Sequence, residues 1–141
     1  MVASAAVNES RAALQRLRNL PEPVLDGLCR AHGVRVLTAF GSAVGDEPQP
    51  GDLDLGVVFE PGRPHDLHGL LEALVVLLGT ERLDLLDAQR ASETARMRAI
   101  GEGEALYESE PTAFANAYAA AVMLYLDTAR FRDEALAHPR P

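Results

Sequence analysis

A chain of 141 residues, 48% hydrophobic and 24% charged, has the size and composition of one globular domain with a single buried core, which excludes a disordered or fibrous protein. The net charge is −8 and all 13 basic residues are arginine, which disfavours both P-loop chemistry, for want of a lysine, and direct nucleic-acid binding, for want of a basic footprint. One cysteine, Cys29, excludes an intramolecular disulfide, and the longest apolar stretch, over 113–126, is too short to span a bilayer; the expected setting is the reducing cytoplasm, with no membrane.

Apolar residues Ala13, Leu14 and Leu17 recur at helical spacing over 9–18, and Pro21 with Pro23 ends that helix. A second short helix is expected over 24–32, closed by a left-handed Gly33. Residues 34–40, rich in β-branched and apolar side chains, read as a strand running into a Gly41-Ser42 turn, and the Gly- and Pro-rich stretch over 43–51 as a loop. A second strand is expected over 52–59. It alternates at first and is then wholly apolar, as for a strand buried on both faces at one end. Asp66 caps a third helix through Leu78, which Gly79 and Thr80 terminate. Residues 82–87 read as a third short strand, and Ser92 caps a helix to about Ile100, broken by Gly101 and Gly103. One long helix follows Pro111 to about Ala137, with Phe114, Tyr118, Ala121, Tyr125 and Thr128 on one stripe. The expectation is a single α+β domain over 1–141, with N-terminal helices over 1–33, a sheet region over 34–90 and C-terminal helices over 91–137.

Asp52 and Asp54 stand at i and i+2, so in a strand both carboxylates project from one face, with Leu53 and Leu55 on the other. Two carboxylates side by side repel, and the usual remedies are a raised pKa or a divalent metal. Mg²⁺ prefers oxygen ligands and is commonly held by one or two carboxylates together with substrate phosphates. Upstream, Gly41-Ser42 offers backbone N–H groups and a hydroxyl where no bulky side chain blocks a phosphate. Asp84, between Leu83 and Leu85, is an acid in an apolar strand, costly unless paired or metal-bound, and is preferred over Asp87 as a third carboxylate for that reason. In that place it can serve as general base. His32, His65, His68 and His138 read as helix-end, loop and tail residues, Cys29 as a small buried apolar residue, and Arg96 and Arg98 as a solvated helix face.

Gly41-Ser42, nine intervening residues, Asp52-Leu53-Asp54 and a third acid in Leu83-Asp84-Leu85 together resemble the DNA polymerase β-like nucleotidyltransferase superfamily, and by size its minimal nucleotidyltransferase (MNT) antitoxins. The resemblance covers roughly 34–107 by motif and extends more loosely to Leu106-Tyr107-Glu108 and Tyr125-Leu126-Asp127. It implies a nucleotidyltransferase fold, with a short mixed sheet flanked by helices and a long C-terminal helix. It also implies Mg²⁺ held by Asp52, Asp54 and Asp84, ATP cradled at Gly41 and Ser42, and transfer of AMP to a tyrosine of a partner HEPN-domain ribonuclease toxin. The loop after Ser42 looks one residue shorter than the family's and carries no Arg. Two alternatives therefore stand beside the antitoxin enzyme: a module that neutralises its toxin by occlusion without turnover, and a nucleotidyltransferase acting on a small molecule.

Overall fold

The computed structural model describes residues 2–137; His138 lies outside them. The elements in chain order are helices α1 (Val2–Arg18) and α2 (Glu22–Ala31), strands β1 (Val34–Phe40) and β2 (Leu53–Phe59), helix α3 (Leu67–Leu78), strand β3 (Leu83–Asp87), helix α4 (Glu93–Arg96), a π-helical turn (Met97–Gly101), strand β4 (Glu104–Glu108), and helices α5 (Ala113–Asp127) and α6 (Ala129–Ala137). No helix among the described residues is long and apolar enough to cross a membrane.

The four strands form one mixed sheet in the order β3-β2-β1-β4. β1 is antiparallel to both β2 and β4, while β3 returns parallel to β2 after the α3 crossover. The period of two in β2 divides the core. Leu53, Leu55, Val57 and Phe59 are fully buried with Leu37 and Ala39 of β1 against Ala13, Leu14 and Leu17 of α1 and Leu70, Leu74 and Leu78 of α3. On the opposite face a smaller cluster of Ala88, Ala99, Ile100 and Ala121 packs with Phe40, Val58, Leu86 and Phe114. The sheet therefore lies between α1–α3 on one side and the π-turn with α5 on the other.

The helix ends follow their local chemistry. Asp66 accepts from the Gly69 N–H at 3.0 Å and Ser92 from the Ala95 N–H at 3.1 Å, while Gly33 and Gly79 are left-handed, with φ of 68° and 70°. Three expectations are corrected, and one strand is added. β2 begins at Leu53, so Asp52 sits in the bend before it. β4 lies in a stretch to which the sequence assigns no element; it is a short strand whose partner, β1, lies far back in the chain, and its alternation is only partial. The helix after Ser92 leaves α geometry at Met97. The C-terminal helix breaks at Thr128, whose hydroxyl donates to the Leu124 carbonyl at 2.9 Å in competition with the backbone.

Candidate nucleotide site

The register of the sheet builds the site. Phe40 of β1 stands opposite Asp54 of β2, and Asp54 stands opposite Asp84 of β3. One row across three strands thus places two carboxylates at facing positions on neighbouring strands, whose backbones lie about 4.8 Å apart by ordinary sheet spacing. They open on the face covered by the π-turn, where Phe40, Asp54, Asp84, Leu85, Leu86, Ala95 and Arg98 line a cavity of about 240 Å³. A second hollow, about 310 Å³, adjoins it at the loop side and is lined by Phe40, Gly41, Val44, Gly45, Arg98 and Glu102.

Gly41 makes the row passable. It has φ of 80°, and a Cβ there would run into the carboxylate of Asp54. The Ser42 hydroxyl oxygen accepts from the Gly51 N–H at 2.9 Å, closing the neck of the 41–51 loop. That bond uses a lone pair and leaves the hydroxyl hydrogen free to donate. From the other side Arg11 of α1 donates to the carbonyls of Gly45 at 2.8 Å and Glu47 at 2.6 Å, so the loop is pinned at its tip as well as its neck.

The carboxylates are not equivalent. Partial burial raises the pKa of Asp54; the nearby charge of Asp84 raises it further and that of Asp52 less, while Arg98 offsets part of the rise. Asp52 is turned toward Arg82, with N–O of 3.8 Å. Asp84 is exposed, which corrects the ground on which it was preferred. The apolar residues flanking it belong to the other face or to the strand's partly covered edge. Asp87 is the more enclosed acid of β3, its side chain 11% exposed, and it is satisfied by His65 Nδ1 at 2.6 Å. What singles out Asp84 is its place opposite Asp54.

Arg98, set aside in the sequence as a solvated helix face, reaches both cavities, whereas Arg96 is occupied in structure, donating to the carbonyls of Ala88 at 2.7 Å and Gln89 at 2.6 Å. The aim of Arg98 comes from its neighbours. Ala99 and Ile100 are buried, the Thr38 hydroxyl donates to the Ala99 carbonyl at 2.7 Å, and Gly56 lets the turn approach the sheet, since a Cβ there would meet Ala99 Cβ at 3.0 Å. No periodicity in the sequence announces this, because the turn is seated by side chains of β1 and β2.

Among the described residues no three His, Cys, Asp or Glu side chains form a cluster that would hold a metal ion unaided. The donor set nevertheless fits Mg²⁺: two facing carboxylates, one with its charge disfavoured by the other, are the kind of incomplete oxygen site that substrate phosphates complete.

No protein-family model matches the sequence, and no curated protein is found similar to it. Solved structures do match. A crystal structure of the toxin-antitoxin pair MntA-HepT superposes with a TM-score of 0.57 at 16% identity, covering 86% of this chain and 98% of that one. A variant of that pair with two aspartates, two positions apart, changed to glutamate gives a TM-score of 0.59 at 16% identity, covering 83% and 99%. A toxin-antitoxin structure with AMP-PNP gives 0.57 at 17% identity, covering 83% and 99%. A tri-AMPylated Shewanella oneidensis HEPN toxin in complex with MNT antitoxin gives 0.52 at 17% identity, covering 86% and 98%. The fold of this chain matches that of an MNT antitoxin.

Proposed function

We propose that this chain is the antitoxin of a HEPN/MNT pair and acts as a nucleotidyltransferase, moving AMP from ATP, with Mg²⁺, onto a tyrosine of a partner HEPN-domain ribonuclease toxin. The observation that carries the reading is the apposition of Asp54 and Asp84 beside the Gly41-Ser42 turn. The neighbours support it, one being a complex with AMP-PNP, one containing a tri-AMPylated toxin and one altered at two aspartates of matching spacing.

In this reading Asp54 and Asp84 would hold the metal together with Asp52, whose contact with Arg82 is long and exposed and so would cost little to give up. Mg²⁺, when bound, neutralises the charge that accumulates on the triphosphate. The 41–51 loop presents its backbone and the free Ser42 O–H to phosphate oxygens. Asp84, exposed, is open to the acceptor and takes the phenol proton as the phenolic oxygen attacks the α-phosphorus. The new bond is tyrosyl oxygen to phosphorus, the bond broken joins the α-phosphorus to the bridging oxygen, and pyrophosphate leaves.

The test is transfer of labelled AMP from ATP to the purified toxin with Mg²⁺. Wild type is expected to label it and Asp54→Asn to lose at least about 100-fold, the scale of removing one electrostatic element of a phosphoryl-transfer site. Transfer that persists in an Asp54→Asn, Asp84→Asn double variant would refute the assignment. The occlusion reading is favoured by one observation, the engagement of Asp52 with Arg82; it predicts neutralisation of the toxin with no nucleotide binding in a calorimetric titration.

A further inference from the structure

The 41–51 loop, which on the reading above must receive a triphosphate, contains no basic residue and carries Asp46 and Glu47. Its hollow is lined by one acid, Glu102, and one cation, Arg98. Arg98 is exposed, forms no ion pair among the described residues, and leans on the ring of Phe40 with its guanidinium carbon 5.9 Å from the centroid. It is shared by the carboxylate cavity and the loop hollow, and so stands at the boundary between them. An arginine close enough to Asp54 to favour its charge, yet not paired with it, keeps its five donors for another anion. Arg96, the other arginine of this segment, has its donors spent on backbone carbonyls.

We propose that Arg98 grips the β- and γ-phosphates of the bound nucleotide, supplying from the π-turn the positive charge that the 41–51 loop lacks; the inference rests on the nucleotide-binding reading. Without Arg98 the loop hollow would be lined by the charge of Glu102 alone, which repels phosphate. The π-turn matters here because it sets the direction of the side chain while burying its two successors, Ala99 and Ile100.

The experiment is calorimetric titration of the full chain with ATP and with AMP, each with Mg²⁺, for wild type, Arg98→Ala and Arg98→Lys, alongside their thermal midpoints. Arg98→Ala is expected to weaken ATP at least about tenfold, the loss typical of one charge-assisted contact, and AMP by less than about twofold. Arg98→Lys is expected to recover part of the ATP loss, because it keeps the charge but not the planar fork. Equal losses for ATP and AMP, or no loss for ATP, would overturn the inference and leave the nucleotide reading standing. A wild-type chain that binds neither nucleotide would overturn the nucleotide reading and the inference with it.

Discussion

Asp54 and Gly41 meet at the centre of the site, where any side chain at position 41 would run into the Asp54 carboxylate. The pKa of Asp54 is raised in the fold by partial burial and by Asp84. A carboxyl whose folded pKa exceeds its unfolded one stabilises the fold below the unfolded value and loses that contribution as pH rises through the folded value. Without divalent cations, Asp54→Asn should therefore raise the thermal midpoint at pH 7, and the gain should vanish near about pH 3, where an ordinary Asp is also protonated. Mg²⁺ should raise the wild-type midpoint more than that of Asp54→Asn, as expected of a ligand held only by the folded state. An unchanged midpoint at pH 7 would mean that Asp54 is better solvated than its surroundings imply. Gly41→Ala should cost roughly 1–3 kcal/mol, because the residue has φ of 80° and its Cβ would displace the carboxylate, and AMP transfer should fall further than stability does. Denaturant titration beside a transfer assay separates the two. Both residues were legible in the sequence because the spacing of Gly41-Ser42 and Asp52-Leu53-Asp54 is local. The tie of Asp52 to Arg82 and the reach of Arg98 were not, since both depend on which elements become neighbours.

Among the elements, the π-turn is the one that the site depends on and that sequence periodicity did not reveal. It is seated by one buried hydrogen bond, from the Thr38 hydroxyl to the Ala99 carbonyl, and by the close approach that Gly56 permits. Thr38→Val keeps the shape and removes the donor, leaving a buried carbonyl unpaired. It should cost about 1–3 kcal/mol, and hydrogen exchange should accelerate over 97–101 ahead of the sheet. Exchange that rises uniformly would show that the turn is held by packing instead. The 41–51 loop offers a parallel case. Arg11→Ala removes both donors to its tip and should speed exchange over 43–47 while leaving β1 and β2 protected. β4 was missed because a five-residue edge strand with acids at both ends carries little alternation. Its place in the sheet is fixed by pairing with β1 and by the bidentate bond of Arg18 to Glu104. Helices α2 and α3 were legible because prolines, Asp66 and glycines mark their ends.

Across the whole molecule, apolar surface is unevenly spent. The face of the sheet toward α1 and α3 holds most of the fully buried large side chains, and Leu74 there is inaccessible. Leu126 on α5 is 64% exposed and Leu136 on α6 is 80% exposed. Leu74→Ala should therefore cost about 2–5 kcal/mol, whereas Leu126→Gln should change stability by less than about 0.5 kcal/mol. Urea titrations of the two variants decide this, and a large loss from Leu126→Gln would show that α5 contributes more to the fold than its exposure implies.

The pairing of β2 with β3 has a consequence for how the protein tolerates insertions and deletions. Because the strands run parallel, the segment joining them is free to vary in length, and added residues in the connections around α3 leave Asp54 facing Asp84 so long as the Leu53 N–H still meets the Arg82 carbonyl at the start of the ladder. A single residue lost from within β3 has the opposite effect. It turns the strand over, carrying a carboxylate into the leucine-lined interior and a leucine into the cleft. Chemistry and folding would then fail together, so a length change within β3 that spares one should spare both.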